Sequence, residues 1–188
     1  MSAPDSRSGG GIVRGGSRGT SVLAGDAPVV EQMRAVRRRW ASGLAVVTTV
    51  TDVGLRGITV ASFMVVSLDP PLVAFCPTVD GEFGQLLSVS GLFAISILNR
   101  DQEFMADRFA ARGPLPDAAF TGIPHESTPA GLPVLTGSLA WLEGEVSEVR
   151  TTGDHLLVLG SVSAARLLAD SDDPLLSYEA AYRGLESA

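Results

Sequence analysis

Gly57-Ile58-Thr59-Val60-Ala61-Ser62-Phe63-Met64-Val65-Val66-Ser67-Leu68-Asp69-Pro70-Pro71 is the stretch that decides the fold. Its β-branched and aromatic residues read as a strand, and the Pro-Pro pair stops that element and fixes the turn after it. Thr59, Ser62 and Ser67 add hydroxyls to the backbone's own donors and acceptors, so a polar ligand has partners along it. Taken from the residues alone, the stretch reads first as a plain strand with scattered hydroxyls that ends in a proline turn.

Outward from it, Leu44 to Thr51 is another β-branched run, joined through the turn Asp52-Val53-Gly54 to a strand from Leu55 to Phe63. Leu72 to Cys76 starts the next strand. Phe83, Leu86, Leu87 and Val89 have the spacing of a short helix between Gly81 and Gly91, and Leu92 to Leu98 returns to strand. A helix follows with Asp101 as N-cap and Gly113 as its end. Residues 113 to 138 are rich in proline and glycine and read as an ordered irregular loop. Leu142, Gly144 and Val146 then alternate with Glu143, Glu145 and Ser147 at the period of a strand, and His155 to Val162 runs back after a turn at Thr151 to Asp154. A turn at Asp170 to Asp173 leads to a last strand around Leu175 to Tyr178. At the other end, Met33, Val36 and Trp40 mark an amphipathic helix from Val29 to Ser42, ended by Gly43. Strands in hairpin order with two or three helices add up to a mainly β protein, an antiparallel barrel with decorating helices.

The chain has 188 residues, enough for one domain with a real core. Residues 1–28, rich in Gly, Ser and Arg without hydrophobic period, are expected to be a disordered extension, and residues 29–188 the folded domain. A net charge of −7 disfavours nucleic acid as partner. No apolar run approaches the ~20 residues that cross a bilayer, and the N-terminal region lacks the apolar stretch of a secretion signal, so the expected location is the cytoplasm. All cations are arginine, and half lie at or before Arg39. The single cysteine, Cys76, reads as a structural thiol at a strand end. There is no Gly-x-Gly-x-x-Gly after a strand and no Walker loop, so neither of those nucleotide sites is available; no metal site is expected.

Gly153-Asp154-His155 places a histidine at the first residue of a strand after a tight turn, where it faces whatever lies above the barrel mouth. An imidazole there donates one hydrogen bond or two, depending on pH. His125, in the irregular loop beside Pro124 and Glu126, reads as solvated.

The stretch 57–71, the Gly153-Asp154-His155 turn, Trp40 to Thr49, Gly131 to Leu135 and Leu139 to Leu142 together resemble the flavin reductase-like family, whose members are FMN-binding Greek-key split barrels. The resemblance runs from about Met33 to Tyr182. It implies an NAD(P)H:flavin oxidoreductase that moves a hydride from the dihydronicotinamide C4 to N5 of FMN or FAD and supplies reduced flavin to a partner monooxygenase. It implies Thr59, Val60, Ala61, Ser62, Ser67 and Ser42 at the flavin, His155 with Asp154 beside the flavin and the nicotinamide, and a homodimer whose pockets form across two chains. Catalysis of this kind rests on positioning two rings rather than on a covalent nucleophile. Where the family usually offers a basic residue followed by Ser and Thr for the FMN phosphate, this chain reads Thr78-Val79-Asp80-Gly81-Glu82-Phe83, which repels a phosphate. That departure keeps open a second reading: a repurposed barrel without redox flavin chemistry, acting as a non-redox enzyme such as a cyclase on a hydrophobic small molecule, or as a noncatalytic binding subunit.

Overall fold

The computed structural model describes residues 28–52, 54–110, 120–168 and 173–185. Within it the stretch 57–71 is two strands rather than one, broken at residues 61–63, and this break sets the architecture. The elements are α1 (Val29–Arg38), β1 (Ser42–Gly43), β2 (Ala45–Thr51), β3 (Gly54–Val60), β4 (Met64–Leu68), β5 (Pro71–Phe75), α2 (Glu82–Ser90), β6 (Leu92–Ile97), a 3-10 turn (Arg100–Gln102), α3 (Glu103–Ala110), β7 (His125–Ser127), β8 (Pro133–Leu135), β9 (Ala140–Thr152), β10 (His155–Leu167), β11 (Leu176–Tyr178) and β12 (Ala181–Arg183).

The chain divides into the units Met1–Val36 and Arg37–Ala188. In the second, seven strands form one antiparallel sheet in the order β3-β2-β6-β9-β10-β5-β4. Its two edges, β3 and β4, are consecutive in sequence, so the sheet wraps round and is split where residues 61–63 cross from one edge to the other. This is the mainly β split barrel expected.

β2 explains why its sequence is a continuous apolar run rather than an alternating one. Val47 faces the barrel core with Phe75, Phe93, Ile95 and Leu87, while Val46 faces a second cluster under α3 with Leu98, Phe109 and Leu135. Both faces of this strand are buried, and each fully buried Val, Leu or Phe contributes roughly 1.5–3 kcal/mol from its removal from water. The hydroxyls on β2 are satisfied: Thr48 donates to the Pro133 carbonyl at 2.6 Å and Thr49 to the Leu92 carbonyl at 2.7 Å. Among the described residues no buried side-chain nitrogen or oxygen lacks a partner.

Several boundaries differ from the sequence expectation for local reasons. α1 ends at Arg38, not Ser42, because Ser42 and Gly43 pair with Ser177 and Leu176 as β1. The N-cap before α3 is Asn99 rather than Asp101: Asn99 accepts from the Asp101 N–H, and Gln102 accepts from the Asn99 N–H at 3.0 Å, a reciprocal capping box ahead of the 3-10 turn. The loop from 113 to 138 contains a short hairpin, β7–β8, whose second strand is wholly buried. A final strand, β12, follows β11 across a turn at Glu179 and Ala180. The expectations for residues 1–27, for Gly113 and for Asp170 lie outside the described residues. No helix among the described residues is long and apolar enough to cross a membrane.

Candidate functional site

β3 pairs on one side only, with β2, so the backbone groups along its other side are unclaimed by the sheet. That free edge is the floor of a cleft of about 1050 Å³, at the upper end of the range typical of small-molecule sites. α2 stands on one side of β3 and the last turn of α3 on the other. Side-chain alternation assigns the walls: Ile58 and Val60 pack with Phe83 and Leu87 of α2, whereas Leu55 packs with Phe109 and Phe120 under α3.

Gly57 is required by this arrangement. A Cβ there would lie 2.8 Å from Phe109 Cδ1, so the phenyl ring of α3 rests directly on the β3 backbone. Thr59 ties the same two elements, its hydroxyl donating to the Ala106 carbonyl at 2.7 Å. At the break after β3, Ser62 Oγ accepts the Cys76 N–H at 2.9 Å and donates to the Cys76 carbonyl at 3.3 Å. It pins the crossing segment to the end of β5. Both hydroxyls keep only accepting capacity for a ligand, since each has one proton and spends it on a carbonyl.

The segment after Cys76 is pinned in turn to the His155 turn. Thr78 bridges His155, the Val79 N–H donates to the Asp154 carbonyl at 3.1 Å and the Leu156 N–H to the Pro77 carbonyl at 2.8 Å. Gly153, at φ 64, supplies the left-handed residue that reverses the chain from β9 into β10. His155 therefore stands at the cleft with its backbone fixed on both flanks. Its Nδ1 lies 2.7 Å from Asp154 Oδ1, which leaves Nε2 as the ring's remaining polar atom. The hydrogen bond and charge of His155 hold the fully exposed Asp154 carboxyl below the usual carboxylate range. Asp154 is thus ionised at neutral pH and fixes the imidazole tautomer with Nδ1 protonated.

Of the residues singled out from sequence, Ser42, Thr59, Val60, Ala61, Ser62 and His155 line this one cleft. Asp154 reaches it through His155. Ser67 lies on β4, at the opposite edge of the sheet, and is not among the lining residues. His125 is exposed, with its ring edge-on to Phe120 and its Nδ1 2.8 Å from the Ile123 carbonyl. Cys76 does line the cleft; burial pushes its thiol pKa up, so it stays protonated and is no nucleophile.

A third wall comes from the C-terminal hairpin and from α3. The hairpin β11–β12 brings Ser177 to Ala180 to the cleft, and α3 contributes Arg108 and Phe109. The hairpin turn uses Glu179 and Ala180 at φ 52 and 58, conformations that non-glycine residues rarely hold. An Arg39–Glu179 ion pair at 2.9 Å and the bond from the Glu179 N–H to the Arg38 carbonyl keep it in place. Tyr182 anchors the hairpin to α3, its hydroxyl donating to Asp107 at 2.6 Å. Burial, then Asp107, pushes the tyrosine pKa up to about 12 from 10.0. Because the folded value is the higher, the stabilisation from Tyr182 is complete below pH 10 and disappears as pH rises towards 12. Urea melts across that window should show a falling midpoint in the native protein, and Tyr182→Phe should flatten that fall while costing about 1 kcal/mol at neutral pH.

Residues 37–186 match the family described as flavin reductase like domain. The reductase subunit HsaB of a flavin-dependent monooxygenase from Rhodococcus jostii (strain RHA1) is 34% identical over 168 residues, covering 89% of this chain and 84% of its own. BorF, the flavin reductase component of a bacterial two-component tryptophan halogenase, superposes with a TM-score of 0.78 at 30% identity over 85% of this chain and 99% of its own. The NADH:FAD oxidoreductase SgcE6 of Streptomyces globisporus C-1027, solved with NAD and FAD fragments, gives 0.77 at 29% identity over 87% of this chain and 96% of its own. With a split barrel, an open edge strand and a turn histidine over one cleft, and with the family match spanning nearly all of Arg37–Ala188, this chain belongs to the flavin reductase-like family.

Proposed function

We propose that this chain reduces a flavin with NADH or NADPH in the β3 cleft and hands the reduced flavin to a partner monooxygenase. The observation that carries the reading is the free edge of β3 facing a cleft whose lip holds His155. Unclaimed backbone groups suit the uracil edge of a flavin, which needs donors and acceptors in alternation. When bound, FMN or FAD accepts a hydride from the dihydronicotinamide and carries it away to the acceptor.

The chain's own residues do the positioning. The β3 backbone from Gly57 to Ala61 holds the ring edge, with the lone pairs of Thr59 and Ser62 and the Ser42 rim beside it. His155, locked by Asp154, presents Nε2 to the nicotinamide and orients it. Phe83, Phe109 and Val60 exclude water from the floor, which strengthens each polar contact made there.

The working form is a cytoplasmic homodimer. β4 exposes Met64, Val65, Val66 and Leu68, the last at 86%, along an unpaired sheet edge, and Trp40 is 76% exposed. An apolar edge of this kind is an aggregation hazard unless covered, and a second copy covers it symmetrically.

NADH oxidation measured with and without added FMN, FAD or riboflavin tests the reaction. Flavin-dependent oxidation is the expected result. Colourless protein that neither quenches flavin fluorescence nor oxidises NADH with any of the three would replace this reading by that of a barrel repurposed for a hydrophobic substrate.

A further inference from the structure

Arg37 and Arg38, the last two residues of α1, line the same cleft as His155. Cations in the last turn of a helix are ordinary, since they complement its dipole; what matters is where this turn is held. The Glu179 N–H donates to the Arg38 carbonyl at 2.9 Å, Arg39 pairs with Glu179 at 2.9 Å, and Ser42 and Gly43 pair with Ser177 and Leu176. The backbone of residues 37–40 is thereby tied to the β11–β12 wall, and the two guanidinium groups go with it. Asp154 reports their nearness to the histidine. Its carboxyl is held below the usual carboxylate range first by the hydrogen bond and charge of His155 and, least of the causes, by the charge of Arg37. Arg37 and Asp154 are both exposed, and charges in water attract one another weakly, so Arg37 stands near His155 without being spent on the aspartate.

The other charges of the cleft are accounted for. Glu179 is taken by Arg39, and Arg56, Arg108 and Asp80 have interactions of their own. Glu82, the first residue of α2, is the remaining carboxylate of the lining. Two guanidinium groups are thus set against one carboxylate, in a chain whose net charge of −7 repels anions at long range. Guanidinium is the side-chain group best matched to phosphate, being planar, always charged and forked in its donors.

We propose that Arg37 and Arg38 bind the phosphate next to the nicotinamide ribose and so fix the dihydronicotinamide ring against His155. The inference rests on the flavin reductase reading above and adds how the nucleotide is held. In that reading His155 presents Nε2 to the nicotinamide, and a single ribose separates this ring from its first phosphate. Cations close to the Asp154–His155 pair are within reach of that phosphate. The arginines touch no reacting atom. They convert the charge of the nucleotide into placement of its ring, and hydride transfer depends on placement.

Three dihydronicotinamides separate the contacts. Reduced nicotinamide riboside has no phosphate, the reduced mononucleotide adds the one next to the ribose, and NADH adds the rest of the dinucleotide. Each is assayed on the full chain with FMN and again with riboflavin, which brings no phosphate of its own. At low salt kcat/KM for the mononucleotide should exceed that for the riboside by at least about tenfold, and the gap should narrow as salt rises. Arg37→Gln combined with Arg38→Gln should bring the mononucleotide down to the level of the riboside, whereas a folding defect would lower all three substrates in proportion. The same pair should raise the Kd for NAD+, measured by calorimetry on the flavin-loaded protein, by about tenfold. Lysine at both positions should restore part of the loss, since it returns the charge without the fork. Equal efficiency of riboside and mononucleotide in the unaltered protein, or a gap that survives the glutamine pair, overturns the assignment while the flavin reading stands. So does a comparable rise in the Kd for FMN with riboflavin unmoved, which would give the arginines to the flavin's phosphate. Failure of all three to be oxidised with any flavin overturns the reading and the inference together.

Discussion

His155→Ala should lower kcat/KM for the nicotinamide by about 10- to 100-fold while the Kd for flavin stays within about threefold. The magnitude follows from positioning: a hydride moves only between correctly placed atoms, and a small misplacement of one partner costs up to two orders of magnitude. The selectivity follows from geometry. His155 belongs to the lip, fixed by its bridge to Thr78 and the bond to Asp154, whereas the flavin edge is held by the β3 backbone, which the substitution leaves alone. Steady-state kinetics at varied NADH, with flavin affinity measured independently by fluorescence, separate the two effects. Turnover unchanged in the variant would remove His155 from the mechanism.

Asp154→Asn provides the finer control. The carboxylate fixes the tautomer of a ring whose side chain is 37% exposed, so the amide should leave the fold intact and reduce kcat/KM by less than removal of the ring. Since the Asp154 pKa lies below the usual carboxylate range, its interaction with His155 is present at neutral pH and is lost only on strong acidification, as pH falls through the lowered folded value. The activity of the native protein should therefore show no loss traceable to Asp154 across the mildly acidic range.

The parts of this site that were legible in the sequence are those encoded locally. A period of two at Leu142 to Val146, a Gly-Asp turn and a returning strand are enough to place His155 at the start of β10, and the pairing of His155 with Thr152 follows from the turn itself. The break at residues 61–63 is different. Ile58 and Met64 are both apolar strand residues, and only the partners they find, β2 for one and β5 for the other, reveal that they belong to opposite edges of one sheet. The hydroxyls show the same limit. Thr59 and Ser62 read as ligand partners because their types permit it, yet each donates to a carbonyl 47 or 14 residues away. β8 escapes for a third reason: proline and glycine on both sides signal a loop, and its strand character comes from burial against β2 and β6 rather than from its own three residues.

Gly160→Ala should destabilise the fold by about 1–3 kcal/mol, the usual cost of overfilling a packed core, which for a domain of this size is a drop of about 2–10 °C in Tm. Phe93 is completely buried at the centre of the barrel core, edge-on to Phe75 at 5.5 Å. Its ring lies against the bare backbone of β9 and β10: a Cβ on Gly160 would run into ring atoms Cε1 and Cζ, and one on Gly144 would meet Cζ at 3.0 Å. Gly160 also sits at a register shift between β10 and β9, where the bulged strand bends and a small residue lets the ring in. The alanine gains about 0.4–1 kcal/mol from a stiffer unfolded chain, which the steric cost must exceed for the prediction to hold. Shrinking the ring decides whether contact with Phe93 is the cause. Phe93→Leu alone loses core packing, but in the Gly160→Ala background it removes the clash, so the double variant should be more stable than the sum of the two single losses by about 1 kcal/mol or more. Strict additivity would mean that the glycine is required by the backbone of the bulge and not by the ring. The outcome bears on function because β10 begins at His155: its pairing with β9 runs unbroken from the turn to Leu159 and the register shift comes only at Gly160, so the Gly160→Ala protein should keep its nicotinamide efficiency wherever it remains folded, and the loss should be one of stability alone.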